Sequence, residues 1–500
     1  MKKVTGILLP AATSLLLVLS YPKFDQGWLA WGALGPLAYF LLKSQTFKSA
    51  ALGGLGCGLL SYLGILYWIY PTMRAGGVGP LVSVLGLVLL ALTLSLEFLA
   101  VSAYGYWLKR AGLKAWPYLF AAGWFVLEYG KVLLSRKAVW FPWFMLGYTQ
   151  WDYKPLIQIA SVTGVYGLSA AVCFTGSLAG ALLSRDLRPA ARALRFLPAV
   201  GVVGLLFMYG HSALKRSMEM RPVKEVKAVL LQPSVDQYAK WDPYEEGNIE
   251  AQISGLLAGA KGAELAIWPE NALPCWIDDP ACAAWLKKTV AGSRAEASLV
   301  GSVSKGEGKH VSAYLLDSSG TITASYNKRQ LVPFGEYVPL RDFLGGFIKP
   351  VAELGEFEPG APEQGLMGLS GLHIGAAICY ESIFPYLFAD DTRAGADLFV
   401  NVTNDGWYLD TAAPYQHFIA NIFRAVENRR SVARAANNGI SGVIDPWGRV
   451  LAKTELNERA ALEAGVPVYD IKAFFPEHGG QLALGALMAV SAFLLALLLI

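Results

Sequence analysis

Three residues of this sequence, Glu270, Lys328 and Cys379, have the types to carry out covalent chemistry together if a fold assembles them. Cys379 closes the run Gly375-Ala376-Ala377-Ile378-Cys379-Tyr380-Glu381-Ser382, which reads as a buried apolar strand turning into a helix where a carboxylate and a hydroxyl begin. Such a corner presents a side chain at a sheet edge and aims backbone N–H groups at it, which suits a nucleophile. On its own, a cysteine with apolar neighbours is more often a small core residue. Two other stretches change that balance. Upstream, Ala266-Ile267-Trp268-Pro269-Glu270-Asn271 runs an apolar strand into a carboxylate, and Tyr326 to Tyr337 places Lys328 ahead of a second acid, Glu336.

A thiol needs such partners. With a reference pKa of about 8.5 it is only a few per cent thiolate at pH 7, a handicap of about 2 kcal/mol before attack begins. Glu270 is placed to take the proton. Lys328 is placed to stabilise both the thiolate and the oxyanion of a tetrahedral intermediate, and the N–H after Cys379 completes an oxyanion hole.

In the order Glu270, Lys328, Cys379 these residues resemble the Glu-Lys-Cys triad of the carbon–nitrogen hydrolase (nitrilase) superfamily, and more closely its membrane branch, the apolipoprotein N-acyltransferases. Trp268-Pro269-Glu270, Leu331 to Pro339, Ile378-Cys379-Tyr380-Glu381 and Asn404-Asp405-Gly406-Trp407 look like that branch's motifs, in the same order. The resemblance implies an α-β-β-α sandwich, a phospholipid acyl donor, the α-amine of a diacylglyceryl apolipoprotein as acceptor, a Cys379 thioester between the two steps, and no cofactor. It also places Trp241 near the site and makes Glu336 functional. Glu381 reads as a group that orients Lys328 or shares a proton with Glu270, and Tyr380 as acyl-pocket lining or packing. Phe343, Leu344, Phe347 and Ile348 combine with Gly345-Gly346 as a lid or membrane-dipping arm would, and Trp407 is a second candidate for lipid contact, with core packing open for both.

Composition sets where this chemistry happens. The chain has 500 residues, 54% of them hydrophobic and 16% charged, with a mean hydropathy of +0.40, which excludes an ordinary soluble globule. The apolar excess fills residues 1–212 and returns at 481–500, while 213–480 carry mixed charge. Seven apolar spans are expected in the first part, Thr5–Ser20, Trp28–Leu42, Ala50–Tyr70, Leu81–Tyr106, Trp116–Leu134, Leu156–Leu183 and Phe196–Tyr209, with Leu482–Ile500 as an eighth. Several fall short of the ~20 residues a crossing needs, and 28–42 and 196–209 also fit interfacial or re-entrant helices. Met1-Lys2-Lys3 before an apolar run reads as an uncleaved anchor.

Lys2, Lys3, Lys43, Lys48, Lys109, Arg110, Lys114, Arg185, Arg188, Arg192 and Arg195 flank one side of these spans; Lys23, Arg74, Lys131, Arg136, Lys137 and Lys154 flank the other. By the positive-inside rule the first set is cytoplasmic, which puts 213–480 on the periplasmic face of a bacterial inner membrane and both termini in the cytoplasm. Glu128 lies in an apolar span, where a functional or pairing role is the default, and its position near one end also permits simple exposure. The aromatic loop Trp140 to Phe144 suits the membrane interface.

Net charge is +4, and no basic run interleaved with aromatics points to nucleic acid. No His/Cys cluster has metal-ligand spacing, so no metal is expected, and His310, His373 and His417 read as structural or surface residues. Cys275 and Cys282 lie in the exported part, where pairing across a short loop is open to them. The catalytic part reads as strands and helices alternating, with strands apolar on both faces, which fits a covered two-sheet sandwich. A monomer is the default, since both lipid substrates diffuse to it laterally. The main rival function is a membrane-tethered amidase using the same triad on water; a non-catalytic scaffold and a transporter are weaker alternatives.

Overall fold

The computed structural model describes residues 2–137, 140–306, 308–337 and 357–498. The chain divides into two units, one of Met1–Pro71, Gly79–Glu219 and Glu477–Ile500, the other of Thr72–Val78 and Met220–Pro476.

The first unit is helical: α1 (Lys2–Ser20), α2 (Gly35–Lys43), α3 (Phe47–Ile65), α4 (Pro80–Leu94), α5 (Leu96–Arg110), α6 (Trp116–Ser135), α7 (Val165–Leu183) and α8 (Pro189–Glu219). Proline stands in the first turn of α2, α4 and α6, where its missing N–H has no helical partner to lose. Among the described residues, α4 with α5 as one stretch, α7 and α8 are long and apolar enough to cross a membrane. The count rises to four if α3 and Ile69–Ala75, bent by 49°, form one span. Large apolar side chains such as Leu81, Leu89, Leu205 and Met208 stand exposed on these helices, as a lipid-facing surface requires.

Several expected spans have a different build. Trp28–Leu42 is broken into a turn, a four-residue helix and α2, whose nine residues rise only ~14 Å against a ~30 Å hydrocarbon core. Leu156–Leu183 is interrupted at Gly164, whose φ of 65° and ψ of −179° lie in a region open essentially to glycine. The short segment 196–209 belongs instead to the 31-residue α8, which continues past residue 212 to Glu219.

Polar groups inside this unit find one another, as a medium without water demands. Lys131, counted above among flanking charges, is instead a buried residue of α6: its ammonium lies 3.1 Å from Glu97, which also accepts from the Tyr62 hydroxyl at 2.6 Å and the Trp140 indole at 2.6 Å. Glu128 is buried and paired, accepting from Trp124 Nε1 at 2.9 Å and Leu146 N at 2.8 Å. The aromatic loop is less interfacial than its composition suggests, because Trp143 and Phe144 are buried.

The second unit holds two six-stranded sheets. The first has the order β12-β1-β2-β3-β4-β5 and the second β11-β10-β9-β8-β7-β6, with β1 Lys224–Gln232, β2 Leu265–Ile267, β3 Ala297–Ser304, β4 His310–Asp317, β5 Ile322–Asn327, β6 Met367–Leu369, β7 Leu372–Ile378, β8 Leu398–Thr403, β9 Ser431–Ala436, β10 Gly442–Ile444, β11 Val450–Lys453 and β12 Ala460–Val468. Strands β1, β2 and β3 run parallel, as do β7, β8 and β9. Helices α9 (Glu246–Leu257) and α10 (Pro280–Ser293) cover the first sheet, packing Ile249, Ile253, Leu286 and Val290 on Val229, Leu231, Ala266 and Val300. Helices α11 (Pro385–Arg393) and α12 (Ala413–Asn428) lie against strands of the second sheet, giving the α-β-β-α sandwich. The chain then enters α13 (Phe474–Leu498).

Burial on both faces explains why β7, β8 and β9 read as mostly apolar rather than alternating, with Asn401 in β8 and Arg434 in β9 among the polar exceptions. In open α/β sheets ligands gather at the carboxyl ends of parallel strands, and β2, β7 and β8 deliver Glu270, Cys379 and Asn404 from those ends.

Candidate active site

Glu270 leaves β2 through Trp268 and Pro269 and turns at once, because Asn271 takes a left-handed backbone, φ 47°. The turn runs so close to β3 that a Cβ on Gly301 would lie 2.3 Å from the Pro269 carbonyl oxygen and 2.7 Å from Glu270 Cα. Only glycine admits that approach. Lys328 directly follows β5 and is pinned at both backbone groups, its N–H donating to Val311 O at 2.9 Å and its carbonyl accepting from Gly360 N at 2.8 Å. Cys379 directly follows β7. Its φ of 51° starts a tight turn over Cys379–Ile383 before α11 begins at Pro385.

These elements bring three charged groups together, Glu270 and Lys328 buried and Glu336 part-buried. Lys328, 1% exposed, holds its ammonium 3.0 Å from Glu270 Oε1 and 2.5 Å from Glu336 Oε1. The second oxygen of Glu270 accepts from Asn404 N at 2.9 Å and that of Glu336 from Val332 N at 2.8 Å. Burial disfavours the Lys328 charge, but Glu270, Glu336 and Cys379 around it outweigh burial and hold the ammonium well above its usual pKa. Burial, relieved by Lys328 and renewed by Glu270, raises the Glu336 carboxyl.

Cys379 is 5% exposed. Burial pushes its thiol well up, Glu270 adds to the rise, and Lys328 and the Thr403 hydroxyl pull the other way. The resting group is therefore a thiol rather than a thiolate. The sequence reading places Cys379 at an exposed corner; the corner is there, but the thiol is enclosed.

The hydrogen bonds of Glu381 go to groups other than Lys328 and Glu270. Its carboxylate accepts from Arg329 N at 2.6 Å, Gln330 N at 3.1 Å, Ile378 N at 2.8 Å and Tyr326 OH at 2.8 Å. It ties the end of β7 to the chain just after Lys328, and its charge also interacts with the Lys328 ammonium. Tyr380 is buried edge-on to Phe384 at 4.9 Å. Trp241 is 38% exposed and Trp407 36%, against Trp276 at 5.8 Å and Tyr238 at 6.2 Å respectively. Phe343, Leu344, Phe347 and Ile348 lie outside the described residues. Cys275 and Cys282 form a disulfide.

Sequence reasoning passed over a buried support behind Cys379. His417 Nε2 lies 2.9 Å from the Cys379 carbonyl and His417 Nδ1 lies 2.9 Å from Asp405 Oδ1. Arg434 donates to the other Asp405 oxygen at 2.7 Å and to Asn401 Oδ1 at 2.5 Å. All four side chains are 2% exposed or less. Arg434 and His417 together hold the Asp405 carboxyl, despite burial, down at about 2. Burial and Arg434 push His417 down. The available signal was an arginine inside Val432-Ala433-Arg434-Ala435-Ala436, a charge in a strand with apolar faces, which requires a buried partner.

A thiol at the end of one sheet, with a carboxylate and an ammonium delivered by the other sheet of an α-β-β-α sandwich, is the arrangement of the carbon–nitrogen hydrolases, and residues 230–474 match the carbon-nitrogen hydrolase family. Residues 13–178 match the apolipoprotein N-acyltransferase N-terminal domain. The chain is 36% identical over 498 residues to the apolipoprotein N-acyltransferase of Geobacter metallireducens, covering 95% of this chain and 92% of that protein. It is 32% identical over 444 residues to that of Rickettsia typhi, covering 86% of each. This chain belongs to the apolipoprotein N-acyltransferase family. A crystal structure of an amidase from Nesterenkonia sp. is similar over 53% of this chain and 98% of its own, at 22% identity and a TM-score of 0.39.

Proposed function

We propose that this protein moves a fatty acyl chain from a phospholipid to the α-amine of the diacylglyceryl-cysteine that begins an apolipoprotein, by two exchanges at Cys379. The observation that carries the reading is the Lys328 ammonium held between Glu270 and Glu336 beside the buried Cys379 thiol. In the first exchange Glu270 takes the thiol proton as the sulfur attacks the ester carbonyl, and Lys328 steadies the oxyanion. The carbonyl–oxygen bond then breaks, Glu270 returns the proton to the departing lysophospholipid, and a thioester is left on Cys379. In the second, the amine attacks the thioester, Glu270 takes its proton, and the carbon–sulfur bond breaks to give the amide, with the proton returning to sulfur. A thioester is activated enough to acylate an amine, so the chemistry balances without ATP or a cofactor.

The same reading treats residues 1–212 as the membrane domain, 213–480 as the catalytic domain outside the bacterial inner membrane, and 481–500 as a further span, with both termini cytoplasmic and the protein a monomer. Support comes from the basic residues along one set of flanks and from the Cys275–Cys282 disulfide, which belongs in an oxidising compartment.

The test is the intact mass of the protein after incubation with phospholipid vesicles, for wild type, Cys379→Ala and Glu270→Gln. A hydroxylamine-labile acyl adduct on wild type, absent from Cys379→Ala, is expected. Product formed on adding a diacylated lipopeptide without any such adduct would remove Cys379 from the mechanism. Free fatty acid as the main product would favour the membrane-tethered amidase.

A further inference from the structure

Lys240 is a charged side chain that the fold hides almost completely, at 1% exposure, and the exchange above makes no use of it. Its ammonium donates to the main-chain carbonyl of Asn271. Asn271 directly follows Glu270 in left-handed backbone, φ 47°, a conformation that asparagine tolerates better than most non-glycine residues. From the other side, Ala272 N donates to Gly301 O at 2.8 Å. The corner that presents Glu270 is thus fixed by β3 on one flank and by Lys240 on the other.

One neutral carbonyl does not compensate a buried ammonium. The charged group acting on Lys240 is Glu270, carried on the segment after β2. Lys240 and Lys328 set against Glu270 and Glu336 make a neutral cluster. A negative charge then passes from the Glu270 carboxylate to the Cys379 sulfur and on to the oxyanion with neutrality kept at each stage. With an uncharged side chain at position 240, every one of those states buries an uncompensated negative charge.

We infer that Lys240 is a positioning residue for the acyl exchange: it holds the Asn271 carbonyl, and with it the corner that presents Glu270, and it supplies the second positive charge that keeps the buried site neutral. The inference rests on the reading of Cys379 as the nucleophile. Burial draws the Lys240 pKa down to about 8, with Glu270 opposing, so the second charge is lost as pH rises through about 8.

The experiment compares full-length wild type with Lys240→Met, which keeps the length and drops the charge, and Lys240→Arg, which keeps the charge. Iodoacetamide alkylation of Cys379, followed by peptide mass mapping, reads the thiol without lipid chemistry. The pH profile of thioester formation from phospholipid vesicles and a thermal melt complete the set. Lys240→Met should alkylate about 10-fold more slowly near pH 7. Wild-type acylation should fall above about pH 8, a limb that Lys240→Arg moves upward because arginine stays charged and that Lys240→Met lacks. Alkylation and pH profile unchanged in Lys240→Met would overturn the inference. So would an equal loss in both variants accompanied by a lowered melting temperature, which would make Lys240 packing alone. Slowed alkylation in Lys240→Met, rescued in Lys240→Arg, with no thioester on wild type, would uphold Lys240 and refute the proposed acyl donor instead.

Discussion

Asp405→Asn removes one charge from a place where three chargeable side chains meet without water. Asp405 is 2% exposed and Arg434 and His417 are fully enclosed; the carboxylate accepts from Arg434 at 2.7 Å and faces His417 Nδ1 at 2.9 Å. Asparagine leaves the guanidinium with neutral oxygens, those of Asn401, Ile440 and the new amide. Removing one partner of a buried ion pair destabilises by about 3–5 kcal/mol. A separate figure comes from protonation. A carboxyl held at about 2 rather than 3.8 links to about 2.5 kcal/mol of folding free energy. Because the folded-state pKa is depressed, that contribution is present above about pH 4 and is lost as pH falls toward 2.

For a domain of about 250 residues, 3–5 kcal/mol corresponds to a melting shift of about 6–10 °C. The assay is thermal unfolding followed by tryptophan fluorescence in detergent, at neutral pH and at the lowest pH the wild type tolerates. The gap between wild type and Asp405→Asn should narrow as pH falls below 4. The control is Asp397→Asn, whose partner His373 lies 3.4 Å away with its side chain 60% exposed and which should shift stability by less than about 1 kcal/mol. Acylation should fall further than unfolding explains, since His417 loses the anion that holds it against the Cys379 carbonyl. A melting shift for Asp405→Asn no larger than the control's would refute the reasoning.

Two other substitutions test separate features. Gly301→Ala puts a methyl group where the Pro269 carbonyl already is, 2.3 Å away; the backbone carrying Glu270 must move, and thioester formation should slow by about 10- to 100-fold, measured by time-resolved intact mass. Cys275→Ser opens a loop of sequence separation 7, whose chain-entropy value is about 2.5 kcal/mol. Its melting temperature should match that of reduced wild type and should not respond to reductant.

The residues that meet at the site were readable wherever a chemical group ended a strongly apolar run. Glu270 after β2 and Cys379 after β7 stand at such breaks, and the parallel strands β3, β8 and β9 were legible because both their faces are buried. β12 was not, since Ala460-Ala461-Leu462-Glu463-Ala464-Gly465 has low strand propensity and is held by pairing with β1 instead. The supports were hidden for a different reason. Asn404 acts on Glu270 through a backbone N–H, and Glu381 takes three of its four hydrogen bonds from backbone, contacts that side-chain types do not record. Lys240 and His417 each look ordinary in sequence, and only the fold shows them enclosed. In the helical unit hydropathy located the apolar stretches but not the break at Gly164, because a hydropathy window is blind to φ and ψ.

The pairing of β1 with β12 sets an order on how this domain comes into being. β12 lies against β1 over nine positions, from Lys224 opposite Val468 to Gln232 opposite Ala460, so the first strand made waits for the last. Until then β1 is a bare sheet edge, the kind of surface that pairs with neighbouring chains. Lys224, Glu225 and Lys227 stand at its start, charges of the sort that deter such pairing. A nascent chain halted before residue 460 therefore contains Glu270, Lys328 and Cys379 but not the strand that completes the sheet carrying two of them. Contacts this distant in sequence also form slowly, so the sheet that carries Glu270 and Lys328 is completed only after its last strand has been made.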